Sequence, residues 1–325
     1  MKIICSTVVR ASKQGDIHGG LYVIDVDTEE VLHYQPYSDD FVNDNERGGE
    51  RGLRGIVVLD DRIVVADSGG LIELDKETYQ IVKRFRDDKI FKSVHEICYF
   101  DDSIWVTSTA YDSIARVDLD FNLSGFWEVV GENKEGYKAL MELREINPGE
   151  APEEDNFHIN SISSNDNRLV FGGLITHLYD FYSMEVVIPM PMIERSRSFQ
   201  HNFYEYPGFY TVNLTTFGYL GIINSDDSVH TMPNSFNNES TSIERTLLKT
   251  RFVALPKAKK IKYHADDIAK ANWNRGLARH EDLLFVGSSP ARIIVFNMKD
   301  GKIERTIQLE EDIRHCIHGL EILEQ

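Results

Sequence analysis

Short apolar runs separated by turn residues recur along the chain. The segments RGIVVLDDRIVVADS from Arg54, HEICYFDDSIWVTST from His95, HINSISSNDNRLVFGG from His158, HNFYEYPGFYTVNL from His201 and RGLARHEDLLFVGSS from Arg275 each read as two strands joined by a tight turn. The turns fall at Asp60-Asp61, Asp101-Asp102, Ser164 to Asn167, Pro207-Gly208 and Glu281-Asp282, residues that favour reversal of the chain. A sixth start, HGLEILEQ from His318, runs to the last residue after a single strand. Third and fourth strands follow several hairpins, as in GGLIELDKE with YQIVKRFRD, SIARVDLD with LSGFWEVV, and ARIIVFNMKDG with KIERTIQL. Helical spacing is almost absent from these stretches.

Four short antiparallel strands per unit make one propeller blade, and six units predict an all-β, six-bladed β-propeller. The unit begun at His318 lacks three strands, and KIICSTVV, GGLYVIDVDT and EEVLHYQPY at the other terminus supply them. The expectation is therefore a propeller closed by N-terminal strands pairing with the C-terminal strand, so that no sheet edge is left open. A length of 325 residues is long for one core, but each blade brings its own layer, so residues 1–325 are read as one domain.

Each unit opens on His or Arg. Successive openings lie 41, 63, 43, 74 and 43 residues apart, and 61 separate His318 from Arg54 through the termini. A bare blade takes roughly 40–45 residues. The excess places insertions at about 37–53, 129–157 and 235–274, all on the face where the inner strands begin. Three stretches within or beside them have helix-like apolar spacing: KEGYKALMELRE (134–145), SIERTLLKTR (242–251) and HADDIAKAN (264–272). Long loops of this kind usually bind or cover something.

Composition narrows the partners. A net charge of −18 argues against a nucleic-acid or membrane-surface partner, since both attract basic proteins. Three cysteines (Cys5, Cys98, Cys316) form no close pair, and the opening MKIICSTVVR is too short for a signal-peptide core. The expectation is a cytoplasmic, reduced, soluble protein.

The openings supply the chemistry. In a propeller the inner strands line a central channel, so Arg54, His95, His158, His201, Arg275 and His318 are expected to converge. Four imidazoles, His95, His158, His201 and His318, suit a divalent transition metal such as iron, manganese or zinc. Arg54 and Arg275 flank His318 in the ring order and suit an anionic small-molecule substrate. Glu96, Asn160 and Asn202 lie one or two residues further in and could orient the imidazoles. Glu321 is a candidate general base. His315, Asn156, Trp273 and Asn274 lie just outside the openings. A His retained at a repeat position to bond neighbouring backbone is the structural alternative. No GxSxG elbow, P-loop or HExxH is present.

The segments HEICYFDDSIWVTSTAYDSIARVDLDFNLSGFW, HINSI, RGLARHEDLLFVGSS and VFNMKDGKIERTIQL resemble an uncharacterised bacterial family of six-bladed propeller proteins. That family carries His-led strands, an HLNGLA-like motif and an RGLAF-GDLLFVGLS-like motif. The resemblance spans about half of the chain, departs from the family at QHNFYEYPGFYTVN, and implies the fold and the anchor positions without an activity. Carotenoid-cleaving oxygenases, which hold iron with four histidines in a seven-bladed fold, offer a model for an oxygenase reading. Gluconolactonase-type six-bladed enzymes bind metal through Glu, Asn and Asp, a set the anchors do not match. The reading favoured by the residues is a metal-dependent enzyme of lyase, hydrolase or isomerase type. A mononuclear iron oxygenase and a non-catalytic binding module for a peptide, glycan or protein are the alternatives.

Overall fold

The computed structural model describes residues 1–39, 52–134, 137–165, 167–175, 177–189, 200–206, 208–215, 218–224, 250–254 and 271–324. Their strands are β1 (Lys2–Val9), β2 (Gly19–Asp25), β3 (Val31–Tyr37), β4 (Leu53–Val58), β5 (Arg62–Asp67), β6 (Gly70–Asp75), β7 (Ile81–Arg86), β8 (Val94–Phe100), β9 (Ser103–Ser108), β10 (Ser113–Val117), β11 (Leu123–Lys134) and β12 (Tyr137–Glu145). There follow β13 (Ser161–Asn165), β14 (Arg168–Gly172), β15 (His177–Asp180), β16 (Val186–Pro189), β17 (Gln200–Tyr206), β18 (Phe209–Leu214), β19 (Tyr219–Asn224), β20 (Thr250–Ala254), β21 (Leu277–His280), β22 (Leu283–Ser288), β23 (Arg292–Asn297), β24 (Lys302–Gln308) and β25 (His315–Glu324). They form six antiparallel sheets: β25-β1-β2-β3, β4 to β7, β8 to β12, β13 to β16, β17 to β20 and β21 to β24. The fold is a six-bladed β-propeller.

The expected helical character of the insertions is not found. Residues 137–145 form the strand β12, which pairs with β11 and makes its blade five-stranded. Tyr137, Ala139, Met141 and Leu143 alternate with period two, and the free edge of β11 offers a ladder that a short helix cannot match. The stretches 242–251 and 264–272 lie largely outside the described residues, as does most of 37–53. Among the described residues the one helical turn is a 3₁₀ turn at Thr109–Tyr111.

The chain divides into two compact units, one of residues 1–87, 93–96 and 256–325 and one of residues 88–92 and 97–255. In the first, β1 is buried on both faces. Ile3 and Cys5 pack with Phe285, Ile293 and Ile317, while Ile4 packs with Val23, Ile56 and Val65. In the second, β14 does the same, with Leu169 and Phe171 beside Trp105 and Ile162, and Val170 beside Phe203 and Val212. Alternation between two apolar clusters is what a stacked blade requires, and it is why these strands read as continuous apolar runs.

Four of the six anchors, Arg54, His201, Arg275 and His318, sit on β-bulges. Leu53 pairs with Asp67 and Ile56 with Val65, so Arg54 and Gly55 together face one residue. Leu320 pairs with Cys5 and Ile317 with Thr7, so His318 and Gly319 face Ser6. His201 pairs with Asn213 and Phe203 with Val212, leaving Asn202 as the extra residue at φ 48°. Arg275 N donates to Gly287 O and Gly287 N to Gly276 O, both at 3.0 Å, with Gly276 at φ 73°. A bulge turns one side chain out of the alternation and bends the strand.

The bulge at Gly319 is tied down. Ser6 Oγ accepts from Gly319 N (2.8 Å) and donates to Arg54 O, and all three groups are buried. A Cβ at Gly319 would lie 2.4 Å from Arg54 O and 2.8 Å from Ser6 Oγ. We expect Gly319→Ala to destabilise by about 1–3 kcal/mol through overpacking against backbone. Ser6→Ala should cost a similar amount, about 1–3 kcal/mol, by orphaning a buried donor and acceptor. Urea unfolding followed by circular dichroism measures both, and a Gly319→Ala protein as stable as the parent would refute the tight approach.

Candidate functional site

Three of the four anchor histidines, His95, His201 and His318, are buried. In the first unit, the rings of His95 on β8 and His318 on β25 lie 5.5 Å apart, tilted by 56°. They come from blades that are not consecutive, so both inner strands aim a ring at the same place. His95 Nδ1–H donates to Ser93 O at 2.9 Å. A carbonyl can only accept, so this contact puts the lone pair of His95 on Nε2.

His201 in the second unit is fixed in the same sense. Its Nδ1 lies 2.8 Å from Thr215 Oγ1, and Asn160 Nδ2 donates to its Nε2 over a long 3.3 Å. The amide donor requires the lone pair on Nε2 and so the proton on Nδ1. Asn160 is fully buried. Asn202 is buried too, and the structure adds that it is the left-handed residue of the bulge, a conformation Asn tolerates.

His158 has different surroundings. It is half-buried at φ 49°, and its Nδ1–H donates to Asp155 at 2.9 Å from both carboxylate oxygens. Glu96 is buried beside His95 in sequence, and Glu321 is half-buried on β25 opposite Ile4.

The arginines are the second feature of the first unit. Arg54 is 1% exposed and Arg275 9%. Arg275 has no acceptor for its Nε among the described residues. Burial, then the like charges of Arg10 and Arg54, drive its pKa well below the usual guanidinium value. Trp273 takes both cations on its ring, with Arg10 at 4.8 Å and Arg275 at 5.7 Å from the centroid. Arg275 is thus buried beside two like charges in an acidic chain. Arg10 was not legible from the repeat, because it lies at the end of β1 and not on an inner-strand opening. The Ser93 carbonyl and the Thr215 hydroxyl carry no sequence signal either until the fold sets each beside a ring.

His315, just outside the His318 anchor, lies 3.0 Å from Thr7 Oγ1, and burial pushes its pKa down to about 4.

No protein-family model and no curated protein matches the chain. Solved structures of similar fold include a chain of a nidogen/laminin complex, with a TM-score of 0.57 at 7% identity over 99% of this chain and 98% of that one. Apo AztD from Citrobacter koseri gives a TM-score of 0.50 at 9% identity over 98% and 97%. At such identities the likeness is one of fold alone. No described helix is long and apolar enough to cross a membrane. All three cysteines are free thiols.

Two outcomes are expected. Replacing Arg275 by Met removes a buried charge with no hydrogen-bonding partner for Nε, so the variant should unfold at the same or a higher urea concentration than the parent. A loss above about 2 kcal/mol would instead mark the guanidinium as a structural tie. For His315 the folded pKa of about 4 lies below the unfolded value near 6.5. The unfolded state then binds more protons between these values, so the contribution is complete above pH 6.5 and lost as pH falls toward 4. The stability difference between the parent and His315→Gln should shrink over that window by roughly 3 kcal/mol at most, read from unfolding curves at stepped pH.

Proposed function

We propose that the protein is a metal-dependent enzyme in which His95 and His318, both in the first unit, hold a divalent transition metal and Arg54 and Arg275 of the same unit hold a small anionic substrate. The observation that carries the reading is the buried contact between the His95 and His318 rings, 5.5 Å apart, in a unit that also buries two arginines. The donor set fits a metal. The contact to Ser93 leaves the ligand lone pair of His95 on Nε2, with its Nδ1–H anchored to a fixed oxygen. His158 is omitted from the set, because it is half-buried and engaged by Asp155.

A metal held by these neutral imidazoles would supply Lewis-acid polarisation of a substrate oxygen. The remaining chemistry belongs to the chain. Arg275 meets an anion with an Nε–H that no described residue uses, and Arg54 offers a second buried cation. The surrounding blades exclude water, which strengthens these contacts. Glu96 and Glu321 are the carboxylates nearest the anchors in sequence and are assigned as candidates for proton transfer. Lyase, hydrolase or isomerase chemistry follows from a Lewis acid beside an anion site, and an oxygenase would follow if the metal is iron.

The test is elemental analysis of untagged protein by plasma mass spectrometry. We expect close to one transition metal per chain, and less than a tenth of that in His95→Ala/His318→Ala protein whose circular dichroism is unchanged. Its identity separates oxygenase from Lewis-acid chemistry. No metal after reconstitution with iron, manganese and zinc in turn would overturn the proposal in favour of a non-catalytic binding module.

A further inference from the structure

The second unit contains a buried carboxyl of its own. Asp112 caps the 3₁₀ turn Thr109–Tyr111 in a left-handed conformation (φ 44°) and is 4% exposed. Its Oδ2 accepts from the backbone N–H groups of Asn156 (2.5 Å) and Phe157 (2.8 Å). Its Oδ1 is buried and has no hydrogen-bond partner among the described residues. Asp112 lines a cavity of about 360 Å³ bordered by the β11–β12 hairpin and the segment from Pro152 to Phe157. Val129, Pro152 and Phe157 give this cavity apolar wall. Glu128 and Glu154 add carboxylates, and Arg144 is the cation on the lining. Arg144 is itself divided between Glu128 (3.7 Å) and Glu142 (3.0 Å).

We propose that this cavity binds a small organic ammonium ion, its N–H groups donating to Asp112 Oδ1 and its apolar body lying on Val129 and Phe157. The argument is one of complementarity. An ionised carboxyl with one oxygen satisfied and the other bare lacks both a donor and a counter-charge, and an ammonium group supplies the two together. The volume is that of a small-molecule site. A bare metal ion fits poorly, because the cavity carboxylates are not among the groups of described residues close enough to ligate one ion. An anion is opposed by three carboxylates facing one shared guanidinium. The site is independent of the histidine reading, since every residue named here belongs to the second unit and none is an anchor.

Burial pushes the Asp112 carboxyl up to about 6, against the lowering effect of the backbone donors of Phe157, Asn156 and Ile159, with Asp155 adding a further upward push. The charged groups facing it are Glu128 and Arg144 on the hairpin and Glu154 and Asp155 on the opposite segment, with Tyr111 beside it. The carboxyl is ionised at pH 7.5 and largely protonated at pH 5, so the site should lose most of its affinity for a cation on acidification.

The experiment is calorimetric titration of the full chain with hexylamine, hexanoate and calcium chloride. Hexylamine is expected to bind saturably at pH 7.5 and about tenfold more weakly at pH 5, following the ionised fraction. Asp112→Asn should weaken it at least tenfold, the scale of one charge-assisted hydrogen bond. Glu154→Gln, which alters only an exposed lining carboxylate, should weaken it by a few fold and covers the case in which Asp112→Asn does not fold. The His95→Ala/His318→Ala protein should bind hexylamine as the parent does, so failure of the metal reading leaves this one standing. No hexylamine binding at pH 7.5, equal binding of hexanoate, binding of calcium in place of the amine, or a folded Asp112→Asn protein with undiminished affinity would each overturn the proposal.

Discussion

A straight strand sends its side chains alternately to its two faces, and in a stacked blade both faces are filled with apolar residues. A polar side chain on such a strand has nowhere to go unless the alternation is interrupted. The bulge is that interruption. At Arg54-Gly55, Arg275-Gly276 and His318-Gly319 two residues face one, and at His201 the extra residue is Asn202. The residue after three of these anchors is glycine, and the residue after the fourth is an asparagine at φ 48°. Gly276 at φ 73° shows the backbone demand directly. Gly319 shows the packing demand, with the Arg54 carbonyl against the place a Cβ would take. Remove the bulge, and the charged or imidazole group returns to a face already occupied by core.

This explains what could be read in advance. The hairpins, their turns and the six blades follow from period-two apolar runs and turn residues, signals that are local and repeated. The anchors were visible because a polar residue at the head of each apolar run breaks the pattern at a constant place. Their glycines were visible as letters but not as bulges, since register is a property of two strands and only one is seen at a time. The misread insertion has the same origin. KEGYKALMELRE satisfies both a helical and an alternating template, and the free edge of β11 decides in favour of strand. Ser6, Ser93 and Thr215 are beyond sequence reading altogether. Each is a hydroxyl or carbonyl donor-acceptor site whose role exists only once a ring nitrogen or a bulged backbone is placed against it.

Hydrogen bonding around the imidazoles separates a structural histidine from a ligand more sharply than burial does. A ring kept only to brace backbone needs one good contact, and its tautomer is of no consequence. His95 and His201 occupy different units and use unlike partners, a carbonyl and a threonine hydroxyl, yet both place the proton on Nδ1 and the lone pair on Nε2. His158 also donates through Nδ1, to a carboxylate, but from a half-buried loop position.

The two proposed sites share one energetic logic with opposite sign. Arg275 in the first unit and Asp112 in the second are each at least nine-tenths buried, and each carries a buried polar atom with no described partner. Burial shifts both toward their neutral forms, the guanidinium downward and the carboxyl upward. For Arg275 an apolar residue of similar size is expected to cost the fold no more, whereas Asp112 offsets part of its burial through the backbone donors of Asn156 and Phe157. Folding tolerates such groups at a few positions when binding recovers the cost, so the uncompensated charge is better evidence for a ligand than the cavity around it. The sign then selects the ligand. Like charges from Arg10 and Arg54 reinforce the demand for an anion at Arg275, and the glutamates across the cavity reinforce the demand for a cation at Asp112.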